Sequence, residues 1–342
     1  MWRHMGVVGL CGILCACTTA NPYYDASKPH HTPTGFRNNH VHNDSIDTDF
    51  MDWFKMPDLA EQVPTRAVDV SYLHHNHKDI SVTWLGHSTA LWQIEGFNIL
   101  IDPHFGDMAS PIPFFGPSRQ TPVPVALQDL PHIDLVFVSH NHYDHLDKGT
   151  VLDLKDQPGG EPLFIVPLGM DKWLQNKGIT KVKAMDWWES TSVKNLKVTL
   201  TPVQHWSRRS LFDKFETLWA GYVVQADHYS MYYAGDTGYS PDFKTIGKKF
   251  GGFDFAQIPV GCHEPRERIH NQHANEDDAM KIHQDINSKL SLGVHWGVFR
   301  LCHEAINSPI TDLPLARKRH GIADNEFVLF DLGETRVLKK TQ

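Results

Sequence analysis

Leu135-Val136-Phe137-Val138-Ser139-His140-Asn141-His142-Tyr143-Asp144-His145 runs from four apolar residues into three histidines and an aspartate. The apolar part, Asp134–Val138, is short and bounded, and it reads as a strand buried on both faces. Side chains alternate along an extended chain, so His140 and His142 point the same way where the extension persists. A turn after His142 then brings Asp144 and His145 to a second, adjacent point. Two imidazoles at one point and a carboxylate with an imidazole at the next are suited to two metal ions side by side. A polar helix start would leave three imidazoles in one loop without a reason.

Working outward, three more such side chains stand where apolar runs end. Val198-Thr199-Leu200-Thr201-Pro202-Val203-Gln204 leads to His205, Met231-Tyr232-Tyr233-Ala234-Gly235 to Asp236, and Leu290-Ser291-Leu292-Gly293-Val294 to His295. Alone, each reads as structural. Strand ends along one sheet rim are where sites collect, and with the first cluster these residues complete two coordination sets. The chain holds 23 histidines in 342 residues, and position is what sorts them.

Strands are expected at Ser81–Leu85, Thr89–Ile94, Asn98–Ile101, Asp134–Val138, Leu163–Val166, Leu196–Leu200, Trp219–Gln225, Ser230–Tyr233, Phe255–Pro259 and Leu290–Val294. Helices are expected at Gly169–Lys177, Pro241–Phe250, Asn275–Ile286 and Ile310–His320. Asn275 before Glu276, Asp277 and Asp278 is a capped helix start with acids in the first turn. Interleaved strands and helices without a short repeat imply a layered α/β or α+β domain over residues 80–342. Residues 17–79 read as a tether and an irregular N-terminal arm, broken by Pro29, Pro33, Pro57 and Pro64. The arm histidines His30, His31, His40, His42, His74, His75 and His77 lack close ligand spacing with a carboxylate, so they read as solvated or arm-packing. Arg119, in a Gly-Pro-rich loop, reads as solvated.

Hydrophobic residues make up 41% of the chain, enough for a sizeable core. Lys and Arg number 32 against 40 Asp and Glu, a net charge of −8, so no nucleic-acid partner is expected. Arg3 precedes an uncharged run from Met5 to Ala16, the shape of a secretory signal over residues 1–16 and too short to span a bilayer. Leu14-Cys15-Ala16-Cys17 resembles a bacterial lipobox, which implies acylation of Cys17 and a lipid-anchored place in the cell envelope. Thr18 after it points to the outer membrane. Setting aside Cys11, Cys15 and Cys17 leaves Cys262 and Cys302; two cysteines define no framework, so separate thiols are expected, although a place in the envelope would permit a bridge between them.

Taken together, His140, His142, Asp144, His145, His205, Asp236 and His295 resemble the ligand pattern of the metallo-β-lactamase superfamily, αββα sandwiches of di-metal hydrolases, over roughly Ser81 to Leu332. The strings Thr83-Trp84-Leu85-Gly86-His87-Ser88, Gly116-Pro117-Ser118-Arg119, Gln204-His205-Trp206-Ser207, Ala234-Gly235-Asp236-Thr237-Gly238-Tyr239 and His295-Trp296-Gly297 are similar to one branch. That branch is the N-acyl-phosphatidylethanolamine-hydrolysing phospholipases D and their bacterial lipoprotein relatives.

The resemblance implies one metal on His140, His142 and His205, a second on Asp144, His145 and His295, and Asp236 bridging them. Two zinc ions suit these ligands, with iron or manganese as alternatives. It casts Asp102 as orienting a ligand histidine from behind. Asp236, Asp144 and His273 are cast in the catalysis, His273 as a phosphate contact or leaving-group acid. The implied chemistry is attack of a metal-activated hydroxide on a phosphodiester, with a phospholipid as substrate and the membrane reached through Cys17. The pattern departs from the branch after Gly261, where His263 replaces a tyrosine and Glu267-Arg268 stand in an apolar stretch. Hydrolysis of another ester or lactone stays open, as does an idle envelope lipoprotein, although idleness would predict a broken ligand set.

Overall fold

The computed structural model describes residues 20–40, 62–112 and 114–338. The expected signal, Cys17 and His42 lie outside these residues. The arm opens with a two-rung hairpin, His31–Thr32 (β1) and Gly35–Phe36 (β2), and resumes with a short helix, Val70–His75 (α1), capped by the Asp69 side chain. The irregular reading missed both, because neither is long enough to show a period.

Two seven-stranded sheets follow. The first contains Ile80–Gly86 (β3), Thr89–Ile94 (β4), Phe97–Ile101 (β5), Leu135–Phe137 (β6), Leu163–Pro167 (β7) and Val182–Met185 (β8) in spatial order, with Thr335–Leu338 (β16) beside β3. The second contains Ser190–Val193 (β9), Leu196–Thr201 (β10), Gly221–Ala226 (β11), Tyr229–Tyr233 (β12), Phe255–Pro259 (β13), Ser291–Val294 (β14) and Phe327–Val328 (β15), again in order. Neighbours β5 to β8 run parallel, as do β12 to β15. All ten expected strands are present, shifted by a residue or two at their ends. The unforeseen β8, β9, β15 and β16 are all edge strands: β8, β9 and β16 carry charged or hydroxylated side chains, where the apolar signal fades, and β15 is only two residues long.

Period-two alternation decides which side chains face which layer. Leu135 and Phe137 point into the core between the sheets, with Ala90, Trp92, Ile99 and Ile101. Val136, Val138, Leu91 and Leu100 point the other way, onto Val151 and Leu154 of Lys148–Lys155 (α2) and Met170 and Leu174 of Met170–Gln175 (α3). The second sheet is covered by Asp242–Phe250 (α4), Glu276–Asp285 (α6) and Pro309–His320 (α7), with the short Arg266–Ile269 (α5) between. Phe243, Ile246, Met280 and Ile282 supply the apolar cover. The architecture is an αββα sandwich. Among the described residues no helix is long and apolar enough to cross a membrane.

The Tyr222 hydroxyl, buried between the sheets, is satisfied, as a low-dielectric core requires. Phe137 stacks on Tyr222 at 4.7 Å, and the Tyr222 hydroxyl donates to the carbonyls of Val138 and Ile165. Trp84 stacks on Trp296 at 4.8 Å and joins the two sheets at one rim. Cys262 and Cys302 form a disulfide, which corrects the expectation of separate thiols. The reason is topological. β13 and β14 are parallel neighbours, so the segments that follow them emerge side by side although the cysteines are 40 residues apart.

Candidate metal centre

The ends of β5, β6, β10, β12 and β14 meet at the rim that Trp84 and Trp296 hold together. Asp102 ends β5 in a left-handed conformation (φ 36°), which turns its carboxylate back toward β6. There it accepts from the Ser139 amide and hydroxyl, each at 2.6 Å, and from the Tyr233 hydroxyl. The amides of His145 and Leu146 then close a turn onto the His142 carbonyl, so the loop folds back as the spacing suggested.

Hydrogen bonding outside the cluster fixes the tautomers inside it. Nδ1 of His140 faces the Ser139 hydroxyl at 2.9 Å, and that hydroxyl already donates to Asp102, so His140 donates. His205 Nδ1 donates to the Gln272 carbonyl at 2.9 Å, His295 Nδ1 to Gly261 at 3.2 Å, and His145 Nδ1 to Asp102 at 2.6 Å. All four rings therefore turn an Nε2 lone pair inward. Nε2 of His140 and His205 converge on His142 Nδ1 at 2.8 and 3.3 Å. The Nε2 lone pairs of His140 and His205 are thus aimed at one point beside His142, where three imidazoles would share a cation.

The second group is Asp144, His145 and His295. Nε2 of His145 is 3.2 Å from Asp144 Oδ2, and Nε2 of His295 is 3.3 Å from it. Asp236 touches both groups. Its Oδ2 is 2.9 Å from His295 Nε2, 3.1 Å from His145 Nε2, and 3.9 Å from His140 and from His205. Its other oxygen is buried without a partner, as are Nε2 of His145 and of His295. Burial pushes the His145 and His295 imidazoles down, but Asp236 and Asp144 outweigh it, taking His145 well above the ordinary value and His295 to about 9. Positive charge is what these carboxylates require. A buried set of nitrogen and carboxylate donors with orphaned inward atoms fits two divalent cations.

His273 joins the pocket: its Nδ1 is 3.9 Å from Asp236 Oδ2, and its ring is 5.1 Å from that of His205. Its side chain is 14% exposed and that of Asp144 13%, whereas those of His140, His145, His205 and His295 are 0–1% exposed. His142 is likewise only half-buried, so solvent, and with it substrate, reaches the centre over His142, Asp144 and His273.

One residue of the centre has no role that its sequence surroundings announce. His87, in a left-handed turn (φ 53°) between β3 and β4, places Nε2 2.9 Å from Asp144 Oδ2. Its carbonyl accepts from the His295 amide and from the Trp84 indole. The one hint is a histidine directly after a strand-ending glycine, and it lies far from the main cluster in sequence.

The chain's residues 97–296 match the beta-lactamase superfamily domain. It belongs to that superfamily. The N-acyl-phosphatidylethanolamine-hydrolyzing phospholipase D 1 of Caenorhabditis elegans is 39% identical over 273 residues, 76% of each chain. The mitochondrial enzyme of that name from Saccharomyces cerevisiae is 35% identical over 264 residues, 74% of this chain and 55% of the yeast one. Among solved structures, the metallo hydrolase Igni18 of Ignicoccus hospitalis aligns with a TM-score of 0.58 at 20% identity, over 77% of this chain and 99% of its own, a likeness of fold.

Other expectations need correction for this superfamily member. Arg119 is packed rather than solvated: it donates to the carbonyls of Gly106 and His104 and lies 5.0 Å over the Phe299 ring. Glu267 and Arg268 stand exposed on α5, so their charges stay in water, while His263 is buried 3.5 Å from Glu276. Of the arm histidines, His30 and His31 pack the arm as expected, on a carboxylate supplied from far along the chain. Asp186 binds His30 at 2.7 Å, His31 at 2.9 Å and Lys28 at 2.6 Å. His31 Nδ1 accepts from the Asp25 amide, so its proton sits on the nitrogen facing Asp186. With a lysine ammonium present as well, this cluster is a clasp for the arm and offers no lone pairs to a cation.

Proposed function

We propose that the chain is a di-metal phosphodiesterase, phospholipase D-like on N-acyl-phosphatidylethanolamine or a related phospholipid. The observation that carries this reading is Asp236, central to both donor groups. The relatives of 35–39% identity, named for that hydrolysis, support the substrate. His140, His142 and His205 would hold one ion and Asp144, His145 and His295 the other, with Asp236 shared. Zinc suits the set, with iron or manganese as alternatives. Two bound ions supply a water of lowered pKa and offset negative charge on phosphoryl oxygens.

The protein's own part is positional. Asp102, Ser139, Gln272 and Gly261 hold four imidazoles in one tautomer, so the donors need no reorganisation. Burial on the inner side excludes bulk water, and access past His142, Asp144 and His273 orders the approach of substrate. His273 hydrogen-bonds the phosphoryl group or protonates the leaving alcohol. Water oxygen bonds to phosphorus, the bond to the head-group oxygen breaks, and the products are a phosphate monoester and an alcohol. Acylated Cys17 would tether the enzyme to the outer membrane that holds its substrate.

Metal analysis together with a substrate panel tests this. About two equivalents per chain are expected, with Asp236→Ala folding normally and hydrolysing nothing. Cleavage of soluble diesters or lactones with every phospholipid left intact would overturn the lipid assignment. One tight ion and no activity would overturn the enzyme.

A further inference from the structure

Two loops rise from the site's rim, one packed through Phe299 beside His87 and the other beside His142, and both end in exposed apolar side chains. The first follows β5. Its stem is tied by the Ala109 amide to Pro117 and by the Arg119 amide to Asp107, and Arg119 packs on Phe299, whose ring is 5.4 Å from His87. Its tip exposes Ile112 at 54%, Phe114 at 98% and part of Phe115. Phe114 is held outward by a left-handed backbone (φ 62°), an unusual conformation for a bulky residue.

The second loop follows β10, where Trp206 lies 4.4 Å from the His142 ring. Its stem is stapled as well. The Arg209 guanidinium donates to Asn141 and covers the Tyr143 ring, and the Ser207 hydroxyl donates to Thr217. Asp213 accepts from the amides of Arg209 and Ser210, which fixes the turn that holds out Leu211 at 76% and Phe212 at 89% exposure. Arg208 and Lys214 flank those two residues, and Lys214 lies 5.7 Å over the Trp206 ring, between tip and metal centre.

Stiff stems that hold large apolar groups in water give up free energy unless something covers the tips. Both tips leave the rim that carries the site, and cations sit behind the second. We propose that the two tips are a membrane-docking surface: Ile112, Phe114, Leu211 and Phe212 enter the outer acyl region of a phospholipid bilayer, with Arg208 and Lys214 at phosphate level. Apolar tips backed by basic residues match an interface of that layering. Docking so places the opening beside His273 and Asp144 over the lipid head groups. The proposal rests on the phospholipase reading for its purpose and on the exposed loops for its evidence.

The test uses the full chain carrying Cys17→Ser, so that no acyl chain contributes, and vesicles of phosphatidylethanolamine and phosphatidylglycerol. Sedimentation is expected to show binding that falls about tenfold or more in Phe114→Ser/Phe212→Ser, with soluble-diester hydrolysis and elution volume unchanged. Equal vesicle binding by the double variant overturns the proposal. So does a dimer that the double variant splits, because the tips would then face a second copy. Tip-dependent binding without cleavage of any phospholipid keeps the surface and removes the phospholipase reading, so the two fail separately.

Discussion

Asp102 holds His145 by a 2.6 Å hydrogen bond while it also receives the Ser139 amide, the Ser139 hydroxyl and the Tyr233 hydroxyl. One buried carboxylate thus sets the ring of His145 directly and that of His140 through Ser139.

Asp102→Asn keeps the size and removes the charge that fixes these tautomers. Metal affinity and hydrolysis are expected to fall about 10- to 100-fold with the far-ultraviolet spectrum unchanged. Metal titration by calorimetry checks it; unchanged affinity would make Asp102 a packing residue only.

His87 acts on Asp144 from behind. His87→Ala should lower occupancy of one ion while the other stays bound, and activity should fall about 10- to 100-fold. His87→Gln, which can still donate, should recover part of both losses. Metal counted per chain after dialysis gives the result.

His273 is open to substrate and not needed to complete either donor group. His273→Ala should lower kcat with metal content near two per chain. A role as hydrogen-bond donor predicts rescue by His273→Gln, whereas a proton-donor role predicts none and loss of the basic limb of the pH profile.

Asp186 is pushed up by burial, but hydrogen bonds from His30 and Lys28 outweigh this and hold it below the ordinary carboxylate range. A depressed folded pKa stabilises fully above the unfolded value of about 3.9, and that stability is lost as pH falls through the folded value. The clasp should hold from neutrality to about pH 4, weaken progressively below it, and open as pH falls through the depressed Asp186 value. His30 stacks 4.5 Å from Trp187, so tryptophan fluorescence follows the opening. Asp186→Ala at pH 7 should cost about 3 kcal/mol, because it strands buried imidazoles and a lysine.

Cys262 adjoins Gly261, whose carbonyl holds His295, and a Cβ at Gly261 would lie 2.2 Å from the His295 carbonyl oxygen. Cys302→Ser should cost about 2–4 kcal/mol by chemical denaturation and also weaken metal binding. Gly261→Ala should weaken metal binding more.

The ligand positions were legible in the sequence because each follows an apolar strand, and a strand end is a local signal. The same runs implied a layered domain of strands and helices, and the αββα arrangement followed from the resemblance of the ligand pattern to the metallo-β-lactamase superfamily. What escaped depends on contacts distant in sequence. Asp186 meets His30 and His31 some 155 positions away, and Cys262 meets Cys302 only because β13 and β14 are parallel neighbours. Arg119 looked free because nothing nearby in sequence announces Phe299 or the His104 carbonyl as partners. Edge strands β8 and β9 hid behind lysines and serines.

The donor groups are drawn from four separate loops spread between His140 and His295, on strands of two different sheets. A nascent or unfolded chain carries only the His140–His145 fragment as a compact binder. High-affinity ion uptake therefore cannot precede the closing of one sheet on the other. Loading becomes a clock for the end of folding, and a chain stripped of ions should refold first and refill afterwards.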